Sequence, residues 1–373
     1  MNVCPRINMD GLRRGMDAAG LDALVAVSLE NFFYVTDCLL LSQVIIPERL
    51  CMAVLPREGA PGVVVCYNEQ RQTVDDSWIT DIRTYLEYQV SPMRALADYL
   101  AERGWQAARI GIEKRFLPAV HAEELAGLLP DATLVAADGV FDAARAVKTP
   151  EEITRLTEAA QRTETAILDA FRAAGPGDSE KKVADDVATR VLHAGGVSFW
   201  ITLAVGENTA VNHPFPSSRL LSVGDIMRVD VGGRFGGYQS DVARTAVIGS
   251  PDGQQQSVYA RLREAQRELI AAARPGTRAC DLYALYQRAF ERRGLATTSQ
   301  AVGHSFGIGM HEPPVLHAHE TAELEPGMLI NIEPAVTDAE GRLYHIEDLC
   351  EVTDDEPRIL TNVMDTRELF VIQ

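Results

Sequence analysis

Long apolar runs are missing from this chain. No stretch approaches the roughly 18 apolar residues that a membrane-spanning helix needs, so no such helix and no membrane partner are expected. Blocks of Lys or Arg are missing too: 35 such residues stand against 53 Asp and Glu, a formal charge of −18. Affinity for nucleic acid comes from clustered cations, so nucleic acid is not expected as a partner. Cys4, Cys38, Cys51, Cys66, Cys280 and Cys350 form no C-x-x-C spacing, the pattern of reduced, mostly buried thiols. The first twenty residues are broken by Arg6, Asp10, Arg13, Arg14 and Asp17 and so lack the apolar core of a secretory signal, and a cytoplasmic location is expected. The remainder is ordinary for a globular protein, 46% hydrophobic and 24% charged, too apolar for disorder. At 373 residues, the chain should hold about two domains.

Residues 1–145 read as a small α/β domain. Asp22 to Leu29, Cys51 to Leu55 and Gly62 to Cys66 are short apolar runs with the look of buried strands, and Pro92 to Arg103 has helical spacing. A boundary falls near residue 146. There Thr149-Pro150-Glu151-Glu152 combines an N-cap, a Pro suited to the first helical position and a capping-box Glu. The helix it starts, with Ile153, Leu156, Ala160, Ile167 and Phe171 on one face, stops at Gly175-Pro176-Gly177, and a second helix carrying Val183, Val187 and Val191 ends at Gly195-Gly196. The plan then recurs: a helix stopping at Pro275-Gly276, another stopping at Gly294, and a strand-rich region after each pair, near 226–248 and 327–352. Residues 146–373 are therefore expected to be an internal duplication of helix, helix and β-hairpin, a sheet covered by helices on its outer side.

Each hairpin carries two acids. In Val229-Asp230-Val231-Gly232-Gly233 to Ser240-Asp241-Val242, a two-residue turn at Phe235-Gly236 makes Asp230 and Asp241 direct cross-strand partners. In Ile330-Asn331-Ile332-Glu333 to Ile346-Glu347-Asp348, a loop centred on Glu340 does the same for Glu333 and Glu347. Like charges directly opposite repel, so something positive should lie between them. Between the hairpins, Gly303-His304-Ser305-Phe306-Gly307-Ile308-Gly309-Met310-His311-Glu312 places two histidines in a glycine-punctuated apolar run. Four carboxylates and an imidazole form a hard, oxygen-rich donor set that suits two divalent ions such as Mn²⁺ better than a structural Zn²⁺.

These residues resemble the pita-bread metallopeptidases, the family of methionine aminopeptidase, aminopeptidase P, prolidase and creatinase. The likeness covers most of 145–355, and the α/β domain before it resembles that of the aminopeptidase P, prolidase and creatinase branch. The resemblance implies a fold of α/β (α+β) class, with a small N-terminal α/β domain at 1–145 and a catalytic pita-bread domain at 146–373 with a pseudo-two-fold duplication. It implies Asp230, Asp241, His304, Glu333 and Glu347 as ligands of two divalent metal ions, Mn²⁺ first and Co²⁺ or Zn²⁺ as alternatives, and Glu333 also as the general base. His213, in Asn208-Thr209-Ala210-Val211-Asn212-His213-Pro214, and His311 match its two catalytic histidines. The implied activity is hydrolysis of the Xaa-Pro bond of dipeptides or peptide N-termini by a metal-bridging hydroxide, in a homodimer acting on small peptides. Departures line the pocket: His345 replaces the usual Arg of Arg-Ile-Glu-Asp, Ala335-Val336-Thr337 follows Glu333-Pro334 in place of Gly and an aromatic, and Ser305 replaces a Gly. These keep open a non-peptide small molecule as substrate, cleaved by a C–N hydrolase like creatinase or ectoine hydrolase or by a metal-dependent lyase, and the fold also occurs in non-catalytic binding modules. The His317-x-His319 pair lies in a loop beside Glu320 and is not expected to bind metal.

Overall fold

A computed structural model describes residues 7–297 and 299–373. The chain divides into two compact units, Met1–Arg145 and Ala146–Gln373.

The first unit is built on a mixed six-stranded sheet of β1 (Ala23–Ala26), β2 (Met52–Pro56), β3 (Gly62–Cys66), β4 (Asp81–Tyr85), β5 (Arg109–Ile112) and β6 (Thr133–Ala136), in the order β4-β3-β2-β1-β5-β6. Helices α1 (Met9–Ala19), α2 (Leu29–Thr36), α3 (Leu41–Ile45), α4 (Gln70–Asp76), α5 (Pro92–Glu102), α6 (Ala119–Leu128) and α7 (Asp138–Ala146) accompany it. The strand expected over Asp22–Leu29 is shorter than its apolar run. It ends at Ala26 because Ser28 turns the chain and caps α2, accepting from the Asn31 N–H. The core packs Val25, Val54, Val64, Leu96, Leu100 and Ile110 together.

The second unit repeats one plan. Helices α8 (Pro150–Ala173) and α9 (Glu180–His193) lead to β7 (Phe199–Val205), β8 (Ile226–Phe235), β9 (Tyr238–Gln239) and β10 (Val242–Ile248). Helices α10 (Gly253–Ala272) and α11 (Ala279–Arg292) then lead to β11 (Ala301–Ser305), β12 (Glu312–His317), β13 (Leu329–Ile332), β14 (Ala335–Thr337), β15 (Leu343–His345), β16 (Asp348–Glu351), β17 (Arg358–Ile359) and β18 (Phe370–Ile372). Thr149 and Glu152 form the expected capping box at the head of α8. One half-sheet runs β18-β10-β8-β7 and the other β12-β11-β13-β16-β17. The halves match in detail: Gly177 N–H donates to Leu221 O at 2.9 Å, and Gly276 N–H donates to Leu324 O at 2.8 Å. Both glycines have positive φ, +88° and +81°, so each turns the chain between the two helices of its pair with no Cβ cost. Each half also holds a strand that the hairpin reading did not foresee, β7 beside β8 and β11 beside β13.

Among the described residues, Cys38, Cys51, Cys66, Cys280 and Cys350 are free thiols, while Cys4 lies outside them. No described helix is long and apolar enough to cross a membrane.

Candidate metal centre

The first hairpin differs from its expected register. Its turn is Gly236-Gly237, not Phe235-Gly236, because both central residues take positive φ, +54° and +90°, which glycine adopts freely and phenylalanine does not. Asp230 therefore pairs with Ala243, and Asp241 falls two positions away, between β9 and β10. A shift of two preserves the side-chain face, so the aspartates meet diagonally. The second hairpin keeps its expected register: Ile332 pairs with Asp348 and Ala335 with His345, which leaves Glu333 and Glu347 opposite one another at the break between the two ladders. At that break Glu347 N–H donates to Ala243 O at 3.2 Å, joining the second half-sheet to β10 of the first.

His304 enters from β11, where the pairing with β12 shifts register on both sides of it. Such a bulge re-aims one side chain without moving the strand. Its Nδ1 faces Ser305 O at 3.0 Å. A carbonyl can only accept, so Nδ1 carries the proton. Burial, with His311 beside it, pulls the His304 pKa down to about 4, and the ring is neutral at pH 7. The Nε2 lone pair then points at carboxylate oxygens, Asp241 Oδ2 at 3.5 Å and Glu333 Oε1 at 3.7 Å. A lone pair facing anions is repulsive unless a cation stands between them.

The carboxylates give the same sign. Burial pushes Asp230 up to about 6, and burial with the Asp230 charge pushes Glu333 up to about 8. Asp241 rises well above the carboxylate range from burial and then from the charges of Asp230 and Glu333, and Glu347 does so from burial and then from those of Asp241, Asp230 and Glu333. Donor atoms of Asp241, His304 and Glu347 all lie within 4.8 Å of one another. Asp230 Oδ1 and Glu347 Oε2 are buried with no hydrogen-bond partner, whereas the other Glu347 oxygen accepts from Asn331 Nδ2. Buried carboxylates without partners are costly and native structures avoid them. The donor set thus fits divalent cations, and the fit is electrostatic as well as geometric.

A cavity of about 780 Å³ opens onto Asp230, Asp241, His304 and Glu333 and is lined also by Trp200, His213, Arg228, His311 and His345. His311 stacks on His304 with ring centres 3.8 Å apart, and burial lowers its pKa. His213 lies on an exposed loop, close enough for its charge to lower both His311 and His345. His345 stands between two acids, with Nδ1 3.9 Å from Asp230 Oδ2 and Nε2 3.8 Å from Glu333 Oε2. Burial and the Arg228 charge lower its pKa to about 3, so it is neutral there. His317 and His319 do not line this cavity.

Reading the sequence did not single out Asn331, which holds Glu347, or Thr202, whose buried hydroxyl faces Asp230 across the ladder from β7 without a partner. Arg228 was also passed over. The signal was present: Arg228 precedes Asp230 by two positions, and strand alternation puts both on one face.

Known proteins resemble this chain in sequence and fold. The profile described as Metallopeptidase family M24 matches residues 154–354, and the Creatinase/Prolidase N-terminal domain matches residues 9–147. The chain belongs to metallopeptidase family M24. A Mycobacterium bovis protein named Probable dipeptidase PepE is 34% identical over 69% of this chain and 68% of its own length. A Lactobacillus helveticus Xaa-Pro dipeptidase is 28% identical over 84% of this chain and 87% of its own. The crystal structure of dipeptidase PepE from Mycobacterium ulcerans superposes with a TM-score of 0.84 at 28% identity, covering 98% of this chain and 97% of that one.

Proposed function

We propose that this protein is a peptidase that uses two divalent ions to hydrolyse the Xaa-Pro bond of dipeptides or peptide N-termini. The observation that carries the reading is the neutral His304, whose Nε2 lone pair is aimed at buried carboxylates, beside the unpartnered oxygens of Asp230 and Glu347. Support for the substrate comes from relatives named Xaa-Pro dipeptidase. Asp230, Asp241, His304, Glu333 and Glu347 would hold the ions. Bound there, the ions would polarise the scissile carbonyl and make water nucleophilic at neutral pH.

The protein supplies the rest. Glu333, the most exposed of the five, with a quarter of its side chain open, would take the proton of the attacking water and return it to the leaving nitrogen. His311 is neutral and braced against His304, so its N–H would serve as a fixed donor to the charge that grows on the carbonyl oxygen. His213, on the loop beside it, would position the peptide from the open side. The reading includes manganese, a homodimer and a cytoplasmic location. The oxygen-rich donors support the first, the family resemblance the second, and the scattered cysteines the third.

The test is hydrolysis of a Xaa-Pro dipeptide and a Xaa-Pro-Xaa tripeptide by chelated and Mn²⁺-reconstituted protein, beside Asp241→Asn. Cleavage that needs Mn²⁺ and vanishes in the variant supports the reading. Two bound ions per chain with no cleavage of either peptide would transfer the site to a non-peptide substrate.

A further inference from the structure

His345 lines the cavity from the end of β15 and is 7% exposed. Its main chain is clamped to β10 in both directions: His345 N–H donates to Thr245 Oγ1 at 2.9 Å, and Thr245 Oγ1 donates to His345 O at 2.7 Å. The ring stands between two acids, yet its distances of 3.9 Å from Nδ1 to Asp230 Oδ2 and 3.8 Å from Nε2 to Glu333 Oε2 are too long for hydrogen bonds. Nδ1 is buried with no partner, and so is Asp230 Oδ1. A neutral imidazole has one N–H and one lone pair. A proton on Nδ1 would find no acceptor, and a lone pair there would face an anion, so either form is unfavourable in a buried site. A divalent ion between the two groups removes the conflict. Donors held by one ion at about 2.1 Å each stand roughly 3 to 4 Å apart, and the separation of Nδ1 from Asp230 falls within that span. His304 shows the same relation to the other aspartate, with Nε2 3.5 Å from Asp241 Oδ2 and 3.7 Å from Glu333 Oε1. Each imidazole thus faces one aspartate and one oxygen of Glu333.

We propose that His345 is a sixth metal ligand, offering Nδ1 to the ion beside Asp230, so that each of the two ions has one histidine. This rests on the reading of the acids as ligands of two divalent ions and extends it. The Arg usual at this position has no lone pair to offer a metal, so the change to His creates a donor. Its consequence is in the choice of metal. Imidazole suits Zn²⁺, whereas carboxylates suit Mn²⁺, so His345 strengthens the binding of zinc beside Asp230 more than that of manganese. The clamp to Thr245 fixes the strand that carries the ring, which makes the donor a preorganised one.

The experiment titrates chelated protein with Zn²⁺ and with Mn²⁺ by calorimetry, as wild type and His345→Ala, while urea unfolding of the chelated forms establishes that the variant folds. Wild type should bind about two ions per chain. In His345→Ala the second Zn²⁺ should bind about 100-fold more weakly, the upper end of what a merely orienting partner is worth. The second Mn²⁺ should be weakened less, and added imidazole should restore part of the zinc affinity. A second readout needs no variant: X-ray absorption at the zinc edge of zinc-loaded wild type should show about one imidazole per ion, against about one half if His304 alone supplies nitrogen to a dinuclear site. An unchanged second ion in His345→Ala would overturn the proposal and leave the two-ion reading intact. So would an equal loss for both metals that imidazole does not relieve, or about half an imidazole per ion in wild type. Wild type that takes up neither metal would overturn the two-ion reading and this proposal with it.

Discussion

At the scale of single residues the site is a problem in charge. Without cations, raised pKa values act against folding at high pH, and the sign can be worked through. Glu333 titrates at about 8 in the folded state against an ordinary 4.5. Its stabilising contribution is therefore complete below 4.5 and is lost as pH rises towards 8. His304 and His345 act oppositely, being depressed from 6.5 to about 4 and about 3, so their contribution is complete above 6.5 and is lost as pH falls. Between pH 6.5 and 8, only the carboxylates change. The melting temperature of chelated protein should fall over that interval while that of Mn²⁺-loaded protein holds, and scanning calorimetry that finds both flat would contradict the charge assignment. Asn331 gives a second prediction. It orients Glu347 from β13, and groups that orient a ligand are commonly worth about 10- to 100-fold in metal affinity. Asn331→Leu should weaken Mn²⁺ binding by that factor in a metal titration, with the fold intact.

At the scale of elements, the acids were legible in the sequence because hairpin arithmetic is rigid: a turn position fixes every partner. It gave the register around Glu333 and Glu347 and missed that around Asp230 by two, because the chain turns where two adjacent glycines permit consecutive positive φ. The face survived the error, since the side-chain period is two. The run holding His304 concealed a strand, as its glycines suggest a loop. Yet Gly303 serves close packing: a Cβ there would lie 2.0 Å from Asn331 O. Gly303→Ala should force β11 from β13, costing about 1–3 kcal/mol in denaturant unfolding and lowering metal affinity because His304 moves with the strand. Unchanged stability would mean that the strands do not approach so closely. Arg228 and Asn331 escaped notice for a different reason. Each lies inside an apolar strand, and a lone polar residue in such a run shows its purpose only when a partner from another element comes into view.

At the scale of the whole molecule, the duplication explains why the acids arrive in pairs. Each half brings one hairpin, and the break in the second allows Glu347 to bond to β10 of the first. Arg244 locks that junction. Fully buried, it donates to Ala243 O and Glu347 O and pairs with Glu164 and Asp348, which Arg263 also contacts. Arg244→Met would leave Glu164 and Asp348 short of a cation in the interior, and removing one partner of such a buried group costs about 3–5 kcal/mol. A shift in urea midpoint much smaller than that cost requires would show that the halves are joined by other means. The sequence revealed the repeat through its Pro-Gly stops but not this junction, whose members lie about two hundred positions apart at the extreme, as in Val363 N–H donating to Glu164. The central claim, that these two halves converge to hold cations for hydrolysis, is tested most directly by counting manganese on purified protein after dialysis against Mn²⁺ and removal of the excess. The account predicts about two ions per chain in wild type, the stoichiometry of a dinuclear site, and fewer in Asp241→Asn. Wild type that retains no manganese, or a variant that retains as much as wild type, would contradict it.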